Sequence, residues 1–172
     1  MSRKRELYTD SETGLTFRSV DFNDREDVRL YIKAEEDFAE TAPDPFVPKN
    51  LVVAFGIGQA MRYDHLERYK TRFLFVLEGD TPIGVVNVFP VIQDSPTKQE
   101  IYPVFHIEPF RSVTVEKVAD VYHAMARMLK REGNKRVFCH IPYGHKVLKG
   151  KIRRKQELED FHKNVEILEM VI

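Results

Sequence analysis

The chain has one cysteine, Cys139, and no tryptophan. A lone thiol forms no internal disulfide, which excludes a disulfide-stapled secreted scaffold and points to a reducing location. Net charge is also missing: 27 Lys and Arg balance 27 Asp and Glu. That excludes nucleic-acid binding by whole-surface charge and leaves only local patches for it. No apolar run approaches the roughly 20 residues that cross a bilayer as a helix. The opening MSRKRELYTD has basic residues but no apolar stretch behind them, so it does not read as a secretory signal. Internal repeats and low-complexity segments are absent. So are G-x-x-x-x-G-K-[ST], G-x-G-x-x-G and G-x-S-x-G, which removes the commonest phosphate-loop, dinucleotide and serine-hydrolase signatures.

What is there is ordinary globular material. The 172 residues are 42% apolar and 31% charged, enough for one domain with one core. Residues 1–13 are polar and read as a loose N-terminal segment before a domain spanning 14–172. Leu15–Val20 alternates apolar and polar side chains and predicts a strand. Asn23 or Asp24 then caps a helix over 24–39, with Val28, Tyr31, Ile32 and Phe38 at helical spacing. APDPFVPK (42–49) carries three prolines and is a loop of a kind that suits a lid. Leu51–Met61 reads as a helix weakened by Gly56 and Gly58, with a strand as the alternative.

RFLFVLEGDTPIGVVNVFPVI predicts a hairpin, Arg72–Glu78 and Pro82–Ile92, around Gly79-Asp80. Ile101–Ile107 is a further strand. A helix over 115–131 follows, capped by Ser112 or Thr114 and stopped by Gly133 and Asn134. Arg136–Ile141 is a strand holding Cys139. A short helix around Lys155–Lys163 and a strand in Val165–Ile172 close the chain. The order β-α-α-β-β-β-α-β-α-β implies one α/β domain with a mixed, mostly antiparallel sheet flanked by helices.

The stretch VFHIEPFRSVTVEKV (104–118) runs from a strand through a turn into a helix. Free N–H groups and the positive dipole end at such a turn suit a phosphate. Arg111 offers a guanidinium, and Ser112 and Thr114 offer hydroxyls. Against this, Val113 and Val115 are bulky where close backbone approach wants glycine, Thr114 can spend its oxygen on capping, and Glu116 is negative. A phosphate seat over Arg111, Ser112, Val113, Thr114 and Val115 and a plain strand–helix connection both remain open. His106 and Glu108, near the end of the strand, are candidate bases; the alternatives are a packed histidine and a surface carboxylate.

The element order, with LTFRSVDFNDREDVRLY, FLFVLEGDTPIGVVNVFPV, and LEDFHKN followed by VEILEMVI, resembles the GNAT family of N-acetyltransferases over roughly residues 14–172. That resemblance implies acetyl-CoA as cofactor and an amine as acceptor. The family's pyrophosphate turn has the form (R/Q)-x-x-G-x-(G/A); here it reads Arg111, Ser112, Val113, Thr114, Val115, Glu116, with the arginine kept and both glycines replaced. The family's thiolate acid is a tyrosine in the last helix. The matching position is Phe161 or His162, so His162 and, just past the fifth strand, Tyr143 are the substitutes. GNAT-like proteins of tailed-phage virions have similarly eroded motifs, and the chain is similar to those in kind.

His140, His145 and His162 near Cys139 match no zinc spacing, so no metal is expected. The run 145–155 holds seven basic side chains and no acid, which suits nucleic-acid phosphates, the 3′-phosphate of CoA or a protein partner. The alternative is a solvated face balancing Glu157, Glu159 and Asp160. Two function classes follow. One is an acyl-CoA-dependent N-acetyltransferase acting on a small amine or a protein. The other is a non-catalytic structural or assembly protein, such as a phage virion component, or a phosphate- or nucleic-acid-binding module. The expected location is cytoplasmic or inside a phage particle, with no membrane contact. An enzyme needs an open cleft between the strands at 101–107 and 136–141; a structural protein can fill it with Phe110, Val113 or Phe138.

Overall fold

The computed structural model describes residues 6–41, 49–64, 71–94, 99–142, 145–158 and 165–172. The elements are β1 (Glu6–Thr9), β2 (Leu15–Ser19), α1 (Arg25–Thr41), α2 (Lys49–Asp64), β3 (Arg72–Glu78), β4 (Thr81–Asp94) and β5 (Gln99–Pro109), then α3 (Val115–Arg131), β6 (Phe138–Pro142), α4 (Lys146–Lys151), β7 (Arg154–Leu158) and β8 (Val165–Met170). They form a single α/β domain around an eight-stranded mixed sheet in the order β1-β2-β3-β4-β5-β6-β8-β7. Among the described strands, only β5 and β6 pair in parallel; every other neighbour is antiparallel.

Strand alternation sends side chains to two cores. Leu15, Phe17, Leu74, Val86, Phe105 and Ile107 pack against the apolar stripe of α3 and against Leu148 and Ile152. On the other face, Phe73, Phe75 and Val85 pack against Tyr31 and Ala34 of α1 and Ala60 of α2. The α3 stripe is the one its periodicity predicts, and its start and end fall where Thr114 and Gly133 place them. Gly133 (φ +96°) and the hairpin residue Gly79 (φ +60°) use the left-handed region that favours glycine.

Three elements differ from the sequence expectation. Glu6–Thr9, inside the polar N-terminal segment, is an edge strand paired with β2. The basic run contains α4, whose N-cap His145 accepts from the Leu148 N–H through Nδ1. A helix was expected around Lys155–Lys163, but Arg154–Leu158 is the strand β7, and residues 159–164 lie outside the described set. The charges that made RKQEL read as helical are equally suited to an outer strand, where they discourage edge-to-edge pairing.

The N-terminal hairpin is pinned by one buried ion pair. Asp10 is fully buried and takes two hydrogen bonds from Arg127 of α3, each 2.8 Å, while Thr13 donates to its Oδ2. The guanidinium holds the Asp10 carboxyl well below the usual carboxylate range. Asp10→Asn is expected to destabilise the fold by about 2 kcal/mol at pH 7 in urea unfolding, because charge-assisted hydrogen bonds are lost. The deficit is expected to shrink as pH falls below about 4, where the wild-type carboxyl is itself protonated in the unfolded chain.

Candidate functional site

The site begins where a strand pairing stops. β5 and β6 face each other over three residue pairs only, ending at His106 and His140. Beyond that point β5 stays on β4, with Ile107, Glu108 and Pro109 opposite Val86, Val85 and Gly84. β6 stays on β8, with Ile141 and Pro142 opposite Glu166 and Val165. The two parallel strands therefore part at their C-terminal ends, and, among the described residues, 107–109 have no strand partner on the β6 side. Gly84 makes the β4–β5 approach possible at this point. A Cβ there would lie 2.8 Å from the Glu108 carbonyl oxygen and 2.9 Å from the Pro109 Cα. Phe110, a candidate plug, packs instead in the core beneath α1. Phe138 meets Tyr102 edge-on, alongside the paired part of the strands.

The face of β5 toward α1 carries His106 and Glu108. Asn87 lies opposite His106 on β4. From α1 come Tyr31, Glu35 and Phe38, spaced so that they share one face. Tyr31 donates its hydroxyl to Asn87 Oδ1 at 3.1 Å. The His106 ring meets Phe38 edge-on at 5.0 Å and lies 6.4 Å from His140. His106 Nε2 is 3.3 Å from Glu108 Oε1. The Glu35 carboxyl shares a hydrogen bond with Glu108 and lies against Gly56 of α2. Burial, then the neighbouring Glu108 charge, push the Glu35 carboxyl up to about 9, so it keeps its proton at neutral pH. Among the described residues, His106 Nδ1 and Glu108 Oε2 are buried with no N–H or hydroxyl hydrogen-bond partner. Such atoms are rare, and a bound water, an ion or a catalytic role accounts for them.

The turn after β5 is more heavily satisfied. The backbone N–H of Arg111 donates to Asp37 Oδ2 at 2.8 Å, and its exposed guanidinium pairs with Glu40. Ser112 is exposed. Val113 is half-buried between the two cores, its N–H bonded to the Phe110 carbonyl. Thr114 caps α3 by accepting from the Lys117 N–H at 3.3 Å, and its carbonyl accepts from Val118. Val115 is half-buried. Glu116 turns its carboxylate onto its own N–H and pairs with Lys151 at 3.2 Å. Lys117 pairs with Glu78 at 2.5 Å. The helix end is thus met by protein side chains.

Tyr143, His162 and the loop at 42–48 lie outside the described residues. Within the basic run, Lys151 is held by Glu116, and Arg154 donates to the Lys149 carbonyl. Among the described residues, no group of three or more His, Cys, Asp or Glu side chains is placed to hold a metal. Cys139 is buried, and burial pushes its thiol up, which makes it an inert core residue. Among the described residues, no helix is long and apolar enough to cross a membrane. A pocket of about 450 Å³, lined by Thr71, Val88, Pro90, Pro103 and Leu129, lies near the start of β3, remote from all these groups. Sequence reasoning missed Glu35, Tyr31 and Asn87. The signal for Glu35 was present: a carboxyl four residues after Tyr31 on the apolar face of a helix.

No protein-family model matches the sequence, and no curated protein matches it significantly. Solved structures do match. An N-acetyltransferase (PaiA) from Thermoplasma acidophilum in complex with coenzyme A aligns with a TM-score of 0.61 at 14% identity, over 91% of this chain and 98% of that one. The spermidine N-acetyltransferase of Vibrio cholerae, in complex with CoA and spermine, aligns with a TM-score of 0.55 at 12% identity, over 91% and 94%. The ribosomal L7/L12 α-N-protein acetyltransferase RimL aligns with a TM-score of 0.57 at 10% identity, over 98% and 95%. The chain has a GNAT-like fold.

The carboxyl pair leaves a mark on stability. Folded Glu35 holds a proton that the unfolded chain releases near pH 4.5. The folded state therefore binds more protons between that pH and about 9, and stability falls as pH rises through this window. Melting temperatures measured from pH 5 to 9 should show Glu35→Gln gaining on the wild type throughout, by at most about 1.4 kcal/mol per pH unit.

Proposed function

We propose that this chain is an acyl-CoA-dependent N-acetyltransferase whose acceptor is a small amine or a protein amine. The observation that carries the reading is Glu108: a buried carboxyl with one unpartnered oxygen, beside His106, at the edge of the strand fork. With His106 Nε2–H pointing at Glu108 Oε1, as the 3.3 Å contact implies, Nδ1 is an acceptor. Both orphaned atoms then require donors, and an amine nitrogen supplies them. Glu108 takes the amine proton, with His106 orienting it.

The fork fits the cofactor's amide-bearing arm, because the β5 backbone over 107–109 has an edge free of strand pairing toward β6. Acetyl-CoA supplies the acetyl group when bound. Arg111, Ser112 and Thr114, with the N–H of Val115, are the groups proposed to face its pyrophosphate; the Val113 N–H is taken by the Phe110 carbonyl, which leaves Val113 to shape the turn. Tyr143 and His162 are the proposed proton donors to the leaving thiolate. Solved structures with this fold include a spermidine N-acetyltransferase in complex with CoA and spermine and a ribosomal L7/L12 α-N-protein acetyltransferase, which supports the acceptor class.

A second reading, a non-catalytic assembly protein, is favoured by one observation. The turn's cations are already matched by carboxylates: Arg111 by Glu40, Lys117 by Glu78, and Lys151 by Glu116. Calorimetry with acetyl-CoA separates the two. An enzyme binds in the micromolar range. Arg111→Ala then weakens binding about tenfold or more, the worth of one charge-assisted contact. Glu40→Gln, which releases Arg111, tightens it. Absence of binding at millimolar cofactor in all three proteins rejects the enzyme. In acetyl transfer to a panel of amines, Glu108→Gln is expected to lower kcat about 100-fold or more, the scale of a lost general base.

A further inference from the structure

Gly56 is a glycine with no backbone reason to be one. It sits inside α2, where its φ is not in the left-handed region, and glycine in a helix interior costs about 1 kcal/mol relative to alanine. The reason is spatial. A Cβ at this position would lie 2.5 Å from Glu35 Oε2 and 2.6 Å from the carboxyl carbon. The glycine therefore makes room for the Glu35 carboxyl, which is 5% exposed.

The groups acting on Glu35 come from every side. Tyr31 lies one turn back on its own helix, and Glu108 and His106 lie on β5. Asn87 on β4 fixes the Tyr31 hydroxyl, while α2 presents the bare backbone of Gly56. Among the described residues, Glu108 is the charge that acts on it most strongly. Elsewhere in the fold buried acids sit against arginine, as Asp27 does with Arg18 at 2.8 and 2.9 Å and Glu169 does with Arg136 at 3.0 Å.

We propose that Glu35 is a positioning residue: its carboxyl shares a proton with the Glu108 carboxyl and so holds that group in place, in a space that Gly56 keeps open. When Glu35 ionises, the pair becomes two carboxylates and Glu108 is pushed away from its seat. The effect on rate rests on the acetyltransferase reading; the pair itself does not, since the burial of Glu35 against Gly56 and its hydrogen bond with Glu108 stand without it. The consequence is an alkaline limb in kcat that belongs to Glu35 and to no group touching the substrate.

The test has two independent readouts. In the full chain labelled with ¹³C-glutamate, carboxyl NMR follows Glu35 from pH 4 to 10. It should stay protonated through neutrality, and its midpoint should fall by at least about one pH unit in Glu108→Gln, which removes the like charge. A Glu35 resonance already ionised at pH 6 overturns the proposal. In acetyl transfer, Glu35→Gln keeps a donor and should retain kcat at pH 7 within about threefold while losing the alkaline limb. Glu35→Ala and Gly56→Ala, with folding checked by circular dichroism, should lose about tenfold or more, as misplaced catalytic groups do.

Equal losses in Glu35→Gln and Glu35→Ala, or an alkaline limb that survives in Glu35→Gln, overturn the positioning role. If the NMR result holds but the wild type transfers no acetyl group to any amine, the neutral Glu35 stands and the acetyltransferase reading falls.

Discussion

The contact between β5 and β6 is the constraint from which the rest follows. It is the only parallel pairing in the sheet, and it lasts three residue pairs. β5 is bound to β4 along eleven pairs and β6 to β8 along five. Each central strand is thus committed to its antiparallel neighbour more strongly than to the other. Strand twist accumulates separately on the two sides, and the pair opens where the short ladder ends. The crossover between them is α3, whose buried stripe fills one face of the opening. On the other face lie α1 and α2. The carboxyl pair Glu35–Glu108 and His106 sit at that end of the sheet, on the α1 side.

Helix α1 touches both halves of this region. Its inner face puts Tyr31, Glu35 and Phe38 against β4 and β5. One turn further on, Asp37 accepts from the Arg111 backbone, and Glu40 pairs with the Arg111 side chain. The turn after β5 and the carboxyl pair are therefore braced by the same helix. The macrodipole contribution of α3 to an anion at that turn is only about 0.3–1 kcal/mol when exposed. Glu116 and the Thr114 cap already answer part of it. The strongest charge at that turn is therefore the Arg111 guanidinium, which Glu40 already pairs.

Much of the fold was legible. The hairpin at Arg72–Ile92 and the α3 helix declare themselves through alternation, helical periodicity, Gly79 and Gly133. They matched because local preference and tertiary packing agree there. The misses have a common cause. β7 is a charged strand at the sheet edge, and β1 a polar one; neither has an apolar face to reveal it, and both exist because a neighbour offers a free ladder. In the site, His106 and Glu108 were readable as titratable residues at a strand end. Glu35 left only a partial trace, a carboxyl on the apolar face of a helix; its meaning depends on a helix–strand contact and on Gly56, which sequence alone presents as a weak helix position. Arg111 was singled out for its charge, but its pairing with Glu40 joins residues 71 positions apart and leaves no local trace.

The buried acids show why the α1 face reads as a site and not as structure. Among the described residues the buried polar side chains are Asp10, Asp21, Asp27, Glu35, Asn87, Glu108 and Glu169. Asp10, Asp27 and Glu169 each meet an arginine, which repays desolvation with charge and paired hydrogen bonds. Asp21 accepts from the Asn23 backbone in a turn that leads into α1. These four acids have partners that complete them. Glu35 and Glu108 instead bury two carboxyls against each other, supported by a tyrosine and an asparagine, and leave an oxygen and a ring nitrogen unmatched. A core built for stability would replace such a pair with apolar side chains of the same volume, at a gain. It lies beside the fork where β5 and β6 part, so the desolvation of these two carboxyls is a cost that core packing does not explain.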